Sequence, residues 1–454
     1  MQLAAGARVG DALYEERVNP QWVKLLNVLQ MNVRYSRCTG AELFLEDGGR
    51  ILDFLSGYCV HNVGHNHPAV IEAIKDELDR KGPAMLQSHV PELAGELAQS
   101  LCRRAGGNVK KVFFPSSGSE GVEAAIKFSR AHTKRSGLLY ADGAFHGLTC
   151  GALSLMGDPF WREGFGPMLS DTVAVPFGDI EALEKQLATR KFAAFIVEPV
   201  QAEAGIRLPQ AEYFATVQKL CRRYGTLFVL DEVQTGMHRT GPFLAGQHFG
   251  VSPDMIIMAK ALSGGLVPVG AVLMTDEIYA STYGSFKRSI VHTSTFSENS
   301  LSMRAALATL DVLDREGLGA RSASLGEYLR ERLSSSLAGY EMVKEVRGLG
   351  LLNGIEFRAP RSLALRLPFE AFMAIHKGMF GQIVVMRLFR DKHMLTQICG
   401  NNFMVLKVAP PLVASEGQLD EFVAAITEVV DLMHNSPSFW TEALGLAKRV
   451  IHNV

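Results

Sequence analysis

An α/β architecture built on a large, mostly parallel sheet is what this sequence predicts, and three observations predict it. Short apolar runs without polar alternation, such as Ala193–Val197, Leu227–Leu230 and Met255–Ala259, suit strands buried on both faces. Helical patterns separate these runs, as expected where crossover helices cover a parallel sheet. Finally, Asp231, Lys260 and the turn at Ser117-Gly118-Ser119 all stand just past an apolar run. In open α/β sheets ligands collect at the carboxyl ends of the strands, so these three positions are expected to be neighbours in space.

The elements follow in order. Leu43–Leu45 and Ile51–Phe54 flank Glu46-Asp47-Gly48-Gly49-Arg50, and the Asp-Gly pair signals a hairpin. Val112–Phe114 is a brief strand, followed by the serine-glycine turn. A helix then puts Val122, Ala125, Ile126 and Ser129 on one face. Leu138–Ala141, Thr172–Val175 and Ala193–Val197 read as further strands, Ala211–Tyr224 as a helix, and Leu227–Leu230, Met255–Ala259 and Ala271–Met274 as strands. A helix near Ser300–Leu313 closes this part. From about Gly317 a smaller α+β region begins, with strands at Leu351–Phe357 and Met404–Val408, and Phe439–Ile451 forms an amphipathic helix that suits a subunit or domain contact. The expected division is 1–55 as an N-terminal segment joining the smaller domain, 56–312 as the large domain, 313–433 as the smaller domain and 434–454 as a helical extension.

The chain has 454 residues, 47% hydrophobic and 20% charged, enough to bury a sizeable core. A formal net charge of -1 gives no long-range attraction to nucleic acid or an anionic membrane. Leu266–Met274 is too short to span a bilayer, and Met1–Pro20 carries charges and no apolar core of a secretory signal. Six scattered cysteines without a C-x-x-C pair suit a reducing compartment. The expectation is a cytoplasmic protein with small-molecule partners, and without nucleic acid or membrane.

The chemistry lies in the residues at the strand ends. A desolvated lysine at 260 loses proton affinity and becomes available for Schiff-base formation. Asp231 ends a run too apolar for the surface, so its carboxylate needs a cationic partner. Backbone N–H groups at the helix start of Ser117–Ser119 suit a phosphate. An amine, an acid for a ring nitrogen and a phosphate cradle are what pyridoxal phosphate asks of a protein. Each feature alone has a plainer reading: a solvated lysine, a turn-capping aspartate, an ordinary helix cap. A magnesium-nucleotide reading of Asp231-Glu232 would need G-x-x-x-x-G-K-[ST], which is lacking. His61, His65 and His67 lack carboxylate or thiolate company, so no metal is expected. Gly348-Leu349-Gly350 lacks the third glycine of a dinucleotide fingerprint.

With these residues in place, Asp231-Glu232-Val233-Gln234-Thr235-Gly236-Met237-His238-Arg239-Thr240-Gly241 resembles the signature of class-III pyridoxal-phosphate aminotransferases. That family includes ornithine, acetylornithine and γ-aminobutyrate aminotransferases. Gly64-His65-Asn66-His67-Pro68, Ser117-Gly118-Ser119-Glu120, Gly143-Ala144-Phe145-His146-Gly147, Glu198-Pro199-Val200-Gln201, Lys260-Ala261-Leu262-Ser263-Gly264-Gly265, Ser294-Thr295-Phe296 and Ala409-Pro410-Pro411-Leu412 continue the match in the family's order, from about residue 40 to 430. The resemblance implies fold type I, the aspartate-aminotransferase superfamily. It implies that Lys260 binds the cofactor and shuttles the proton, and that Asp231 pairs with the ring nitrogen. Phe145 and Val233 would pack on the two ring faces, Gln234 would reach the ring hydroxyl, and Ser117, Gly118 and Ser119 would hold the phosphate. His146 and Glu198 are expected beside the cofactor. Thr295 would complete the neighbouring subunit's phosphate site, which makes a homodimer the minimal unit.

Two departures bear on substrate. Leu148 stands after the F-H-G triplet, where several carboxylate-specific members carry arginine. Lys407 stands where the family often has the arginine that grips an α-carboxylate, and lysine is a point charge, not a fork. Glu203 resembles the glutamate that masks that arginine, and Tyr58 falls at the substrate entrance. The expectation is a transaminase moving nitrogen between an amine without a distal carboxylate and a keto acid or aldehyde. The alternatives are an aminomutase or decarboxylating relative, which Gln234 fits less well, and a non-catalytic cofactor-binding protein, which would have no need of Lys260 and Asp231.

Overall fold

The computed structural model describes residues 9–84, 86, 88–375 and 377–453. Residues 1–8 of the expected N-terminal segment and Val454 of the extension lie outside the described residues. Its centre is a seven-stranded sheet in the order Lys111–Phe113, Ala271–Met274, Met255–Met258, Leu227–Asp231, Phe192–Val197, Gly137–Ala141, Thr172–Val175. The five strands from Met255–Met258 onward pair in parallel. Ala271–Met274 runs antiparallel to both of its neighbours. The 259–270 connection before it holds one short 3-10 turn, Lys260–Ser263, and no crossover helix, so the chain can only double back.

The apolar runs divide between two faces because strand side chains alternate. Leu138, Tyr140, Ala194, Ile196 and Val229 pack with Val122, Ala125 and Ile126 of helix Gly118–Thr133. Leu139, Ala141, Phe195, Val197, Phe228 and Leu230 pack with Phe214 and Val217 of helix Tyr213–Tyr224. Every residue of Phe192–Val197 and of Leu227–Asp231 is buried, so periodicity within a strand is invisible in hydrophobicity.

A second sheet pairs Val343–Leu349, Leu352–Phe357, Asn402–Val408 and Gln397–Cys399 antiparallel. The N-terminal hairpin forms as expected from Glu42–Leu45 and Arg50–Asp53, with Gly48 at φ 88 in its turn. Met394–Leu395 adds in parallel to Arg50–Asp53, so the N-terminal hairpin is sealed by a late part of the chain. The C-terminal helix Pro437–Asn453 packs against helix Leu363–Ile375 through buried Phe439 and Trp440, and the Trp440 indole donates to the Met433 carbonyl at 3.0 Å. Among the described residues no helix is long and apolar enough to cross a membrane.

Candidate active site

The carboxyl ends of the central strands open onto a cavity of about 480 Å³. Ser117, Gly118, Ser119, Phe145, His146, Glu198, Asp231, Val233, Gln234 and Lys260 all line it, although they are far apart in sequence. Lys260 leaves its strand abruptly. Its φ is 47, a left-handed conformation that a lysine adopts only when the surroundings hold it there. Its Nζ donates to Gln234 Oε1 at 3.2 Å. Burial lowers its pKa below the ordinary lysine value, with the Glu203 carboxylate working in the opposite direction.

Asp231 ends its strand almost fully buried, and both its oxygens are held. Oδ1 accepts from the Val233 N–H at 3.1 Å, and Oδ2 pairs with His146 Nδ1 at 2.7 Å. Burial opposes a charge on His146, yet the hydrogen bond and charge of Asp231, helped by Glu198, hold its pKa above the ordinary histidine value. Glu198 accepts from the Phe145 N–H at 3.0 Å, and burial pushes its carboxyl up to about 7. The lysine strand and the aspartate strand are direct neighbours, with Asp231 opposite Ile257. That adjacency brings amine and acid to one cavity.

The cradle is built from close approaches. Ser117 caps the helix by accepting from the Glu120 N–H at 3.2 Å. A Cβ on Gly118 would stand 2.8 Å from Val233 Cγ2, so only glycine lets the helix start come this near the valine. The Ser119 hydroxyl accepts from the Thr149 N–H at 3.1 Å and shares a contact of 2.9 Å with the Thr149 hydroxyl, which donates to Glu123 at 2.7 Å. An amine, a buried carboxylate and a helix N-terminus thus face one space, which is the donor set that pyridoxal phosphate requires.

Comparison with known proteins decides the family: the aminotransferase class-III model matches residues 26–430. The chain belongs to the class-III aminotransferases. It is 36% identical over 449 residues to aminotransferase PigE of a Serratia species, covering 92% of this chain and 53% of that protein, so it spans about half of that relative's length. It is 35% identical over 437 residues to putrescine aminotransferase of Pectobacterium atrosepticum, covering 93% of this chain and 88% of that protein. Among solved structures, ornithine aminotransferase from Toxoplasma gondii superposes with a TM-score of 0.79 at 26% identity, covering 94% of this chain and 99% of that one. The fold is type I of the pyridoxal-phosphate transferases, and pyridoxal phosphate is the family's cofactor.

The remaining expected residues of this class-III aminotransferase lie outside the cavity lining. Lys407 is fully buried and ion-paired with Glu203, whose Oε2 also accepts from the Gly400 N–H at 2.8 Å. Burial works against both charges, but each partner offsets it. Lys407 sits above and Glu203 below its ordinary pKa. The Tyr58 ring centroid lies 5.3 Å from Lys407 Nζ. Both Glu203 and Lys407 are near enough to Lys260 to act on its charge. Leu148 is 53% exposed and Thr295 is exposed, and neither lines this cavity. Thr295 stands instead on a separate surface groove with Ser294, Ser297 and His89.

Three contributors escaped the sequence reading. Thr149 fixes Ser119 as described. Cys59 Sγ lies 4.0 Å from Gln234 Nε2. Trp161 stands edge-on to Phe145, with centroids 5.5 Å apart and planes at 90°. No spacing rule joins a loop tryptophan to a strand-end phenylalanine, so the last could be seen only in three dimensions.

Proposed function

We propose that the chain transfers an amino group from an amine without a distal carboxylate to a keto acid or aldehyde, in two alternating half-reactions through Lys260. The observation that carries this reading is the opening of Lys260 Nζ and Asp231 into one cavity with a phosphate-competent helix start. Pyridoxal phosphate, when bound, supplies an electron sink for the carbon that loses a proton. Asp231, braced by His146, would hold the ring nitrogen protonated. Phe145 and Val233 would confine the ring between them, Gln234 would take the ring hydroxyl, and Ser117, Gly118 and Ser119 would hold the phosphate. Lys260 Nζ, whose proton affinity burial lowers, would take up the proton that the substrate carbon releases.

Leu148, at the position where several carboxylate-specific members carry arginine, offers no cation to a distal carboxylate, which supports the amine class. The name of the Pectobacterium relative, putrescine aminotransferase, points the same way. Lys407 is the candidate grip for the keto-acid carboxylate. Glu203 neutralises it while the amine is bound and must release it when the acid enters.

The exposed position of Thr295, in a groove that also holds Leu86 and Ile290 at 59 and 79% exposure, supports a homodimer in which Thr295 reaches the partner's phosphate site. All six cysteines are free, which supports a reducing, cytoplasmic location. The test is a donor panel with pyruvate and 2-oxoglutarate as acceptors. Alkylamines and putrescine analogues, which lack a carboxylate, are expected to exceed γ-aminobutyrate and acetylornithine in kcat/KM, and the reverse order would overturn the reading of Leu148.

A further inference from the structure

We propose that Trp161 is a specificity-determining wall of the amine pocket and that it selects donors with an apolar arm. The proposal rests on the reading above that the donor lacks a distal carboxylate.

Residues 158–166, which include the 3-10 turn Pro159–Arg162, carry three aromatics and reach the cavity's lining at Phe145 through Trp161. Phe160 and Phe165 point outward, 70 and 68% exposed. Trp161 is held instead. Its ring meets Phe145 edge-on, and its Nε1 donates to Asn401 Oδ1 at 2.9 Å. Asn401 is itself tied on two other sides. Its Nδ2 donates to the Gly143 carbonyl at 3.0 Å, and its N–H donates to the Glu203 carbonyl at 2.9 Å. One residue therefore fixes the indole, the segment leading to Phe145 and the loop bearing Glu203. An aromatic ring fixed in this way loses little freedom when a ligand packs on it.

Gly400 completes the wall. A Cβ there would lie 3.7 Å from Trp161 Cζ2 and 3.1 Å from Glu203 Oε2, so indole and carboxylate bracket the glycine from two sides. Contacts then run without a gap from Phe145 through Trp161 and Gly400 to Glu203, Lys407 and Tyr58. The charges along this surface are spent on each other. Glu203 is taken by Lys407 and by the Gly400 N–H, and so has nothing left for a distal ammonium. Lys407 is taken by Glu203 while the donor is bound. What the wall offers a donor's arm is aromatic surface, and aromatic surface rewards each methylene it takes out of water by a factor of about four. Trp161 would touch the arm directly, while Asn401 is a positioning residue that acts through it.

The experiment uses the holoenzyme with pyruvate and a series of donors from n-propylamine to n-hexylamine, with 1,4-diaminobutane and γ-aminobutyrate beside them. In the wild type kcat/KM is expected to rise with each methylene. In Trp161→Ala the rise flattens, so the loss grows from a few-fold for propylamine to tens-fold for hexylamine, and Trp161→Phe recovers most of it. Asn401→Leu, which frees the indole without removing it, shows the same trend at smaller size. Affinity for pyridoxal phosphate, read from the visible absorbance on titration, is expected to stay within about twofold in Trp161→Ala. A uniform loss for every amine, or a parallel fall in cofactor affinity, would make Trp161 only a prop for Phe145 and overturn the proposal. A wild-type preference for the diamine over hexylamine would also overturn it. A wild type that prefers γ-aminobutyrate sinks the functional reading, and the proposal with it. A rising series that Trp161→Ala retains sinks the proposal alone.

Discussion

In the proposed reaction Lys260 carries more of the chemistry than any other side chain. Its left-handed backbone and buried amine exist only because the strand before it and the turn after it are both fixed. Lys260→Ala is expected to leave the fold intact, to lose the visible absorbance of the covalently held cofactor and to reduce turnover below detection; a variant with near-native kcat would refute the role. Asp231→Asn replaces a charge with an amide in a pocket where both oxygens are already engaged. It is expected to lower kcat by orders of magnitude while the cofactor stays bound, since one charge-assisted contact is worth about 1.5–3 kcal/mol before any loss of the electron sink. Lys407→Ala separates the two half-reactions. The keto-acid KM is expected to rise at least tenfold, and an unchanged KM would remove Lys407 from the acid's binding site. Because Glu203 then remains buried without its partner, the stability of that variant should fall as well, and Lys407→Met with Glu203→Gln is the control that removes both charges.

Elements bring these side chains together by approaching one another more closely than hydrophobic pattern alone requires. The start of helix Gly118–Thr133 lies against Val233 because Gly118 has no Cβ. Gly118→Ala is expected to weaken pyridoxal phosphate binding by about tenfold or more with a small change in Tm, read by titrating the apoenzyme; unchanged affinity would show that the valine can retreat. The turn Ser56–Cys59 is another such element. Four successive residues have φ of 52, 59, 63 and 67, a left-handed turn that costs non-glycine residues about 1–2 kcal/mol each. Asp53 holds it by accepting from the Leu55 and Ser56 N–H groups at 2.8 Å each, and Ser56 Oγ donates to the Ala409 carbonyl at 2.7 Å. The turn places Tyr58 over Lys407 and Cys59 beside Gln234. Nothing in Ser-Gly-Tyr-Cys signals this, because the strain is held by Asp53 and by Ala409, 353 residues away from Ser56. The direction of Ala271–Met274 was equally hidden, since an apolar run carries no sign of which way its neighbours point.

At the scale of the whole molecule, stability depends on groups that folding forces into one charge state. His61 stacks on His65 at 3.9 Å, and burial, with the neighbouring histidine, pushes its pKa down to about 4. The folded protein therefore keeps His61 neutral where the unfolded chain, with an ordinary value near 6.5, protonates. Its contribution is complete above about 6.5 and is lost as pH falls toward 4. The Tm difference between wild type and His61→Gln is expected to shrink between pH 7 and pH 4.5, and a constant difference would show that His61 stays uncoupled from folding. Assembly belongs to the same scale. Thr295→Ala is expected to leave a dimer by sedimentation and to weaken cofactor phosphate binding; a monomeric wild type would refute the proposed shared site.

Some of this was fixed by the sequence itself. Buried runs alternating with helices, and ending in Asp231 and Lys260, were enough to place amine, acid and phosphate cradle at one edge of an α/β sheet, because strand ends in such sheets face a common crevice. The hairpin at Asp47-Gly48 was legible for a similar reason, since its turn residues act locally. What tertiary structure alone decided are the contacts between distant segments. It pairs His146 with Asp231, seals Lys407 against Glu203 under Tyr58, and stands Trp161 against Phe145 through Asn401. A local pattern records which way a residue faces within its own element. It holds no information on which of the other elements will fill the space in front of that residue, and that space is where this protein would choose its substrate.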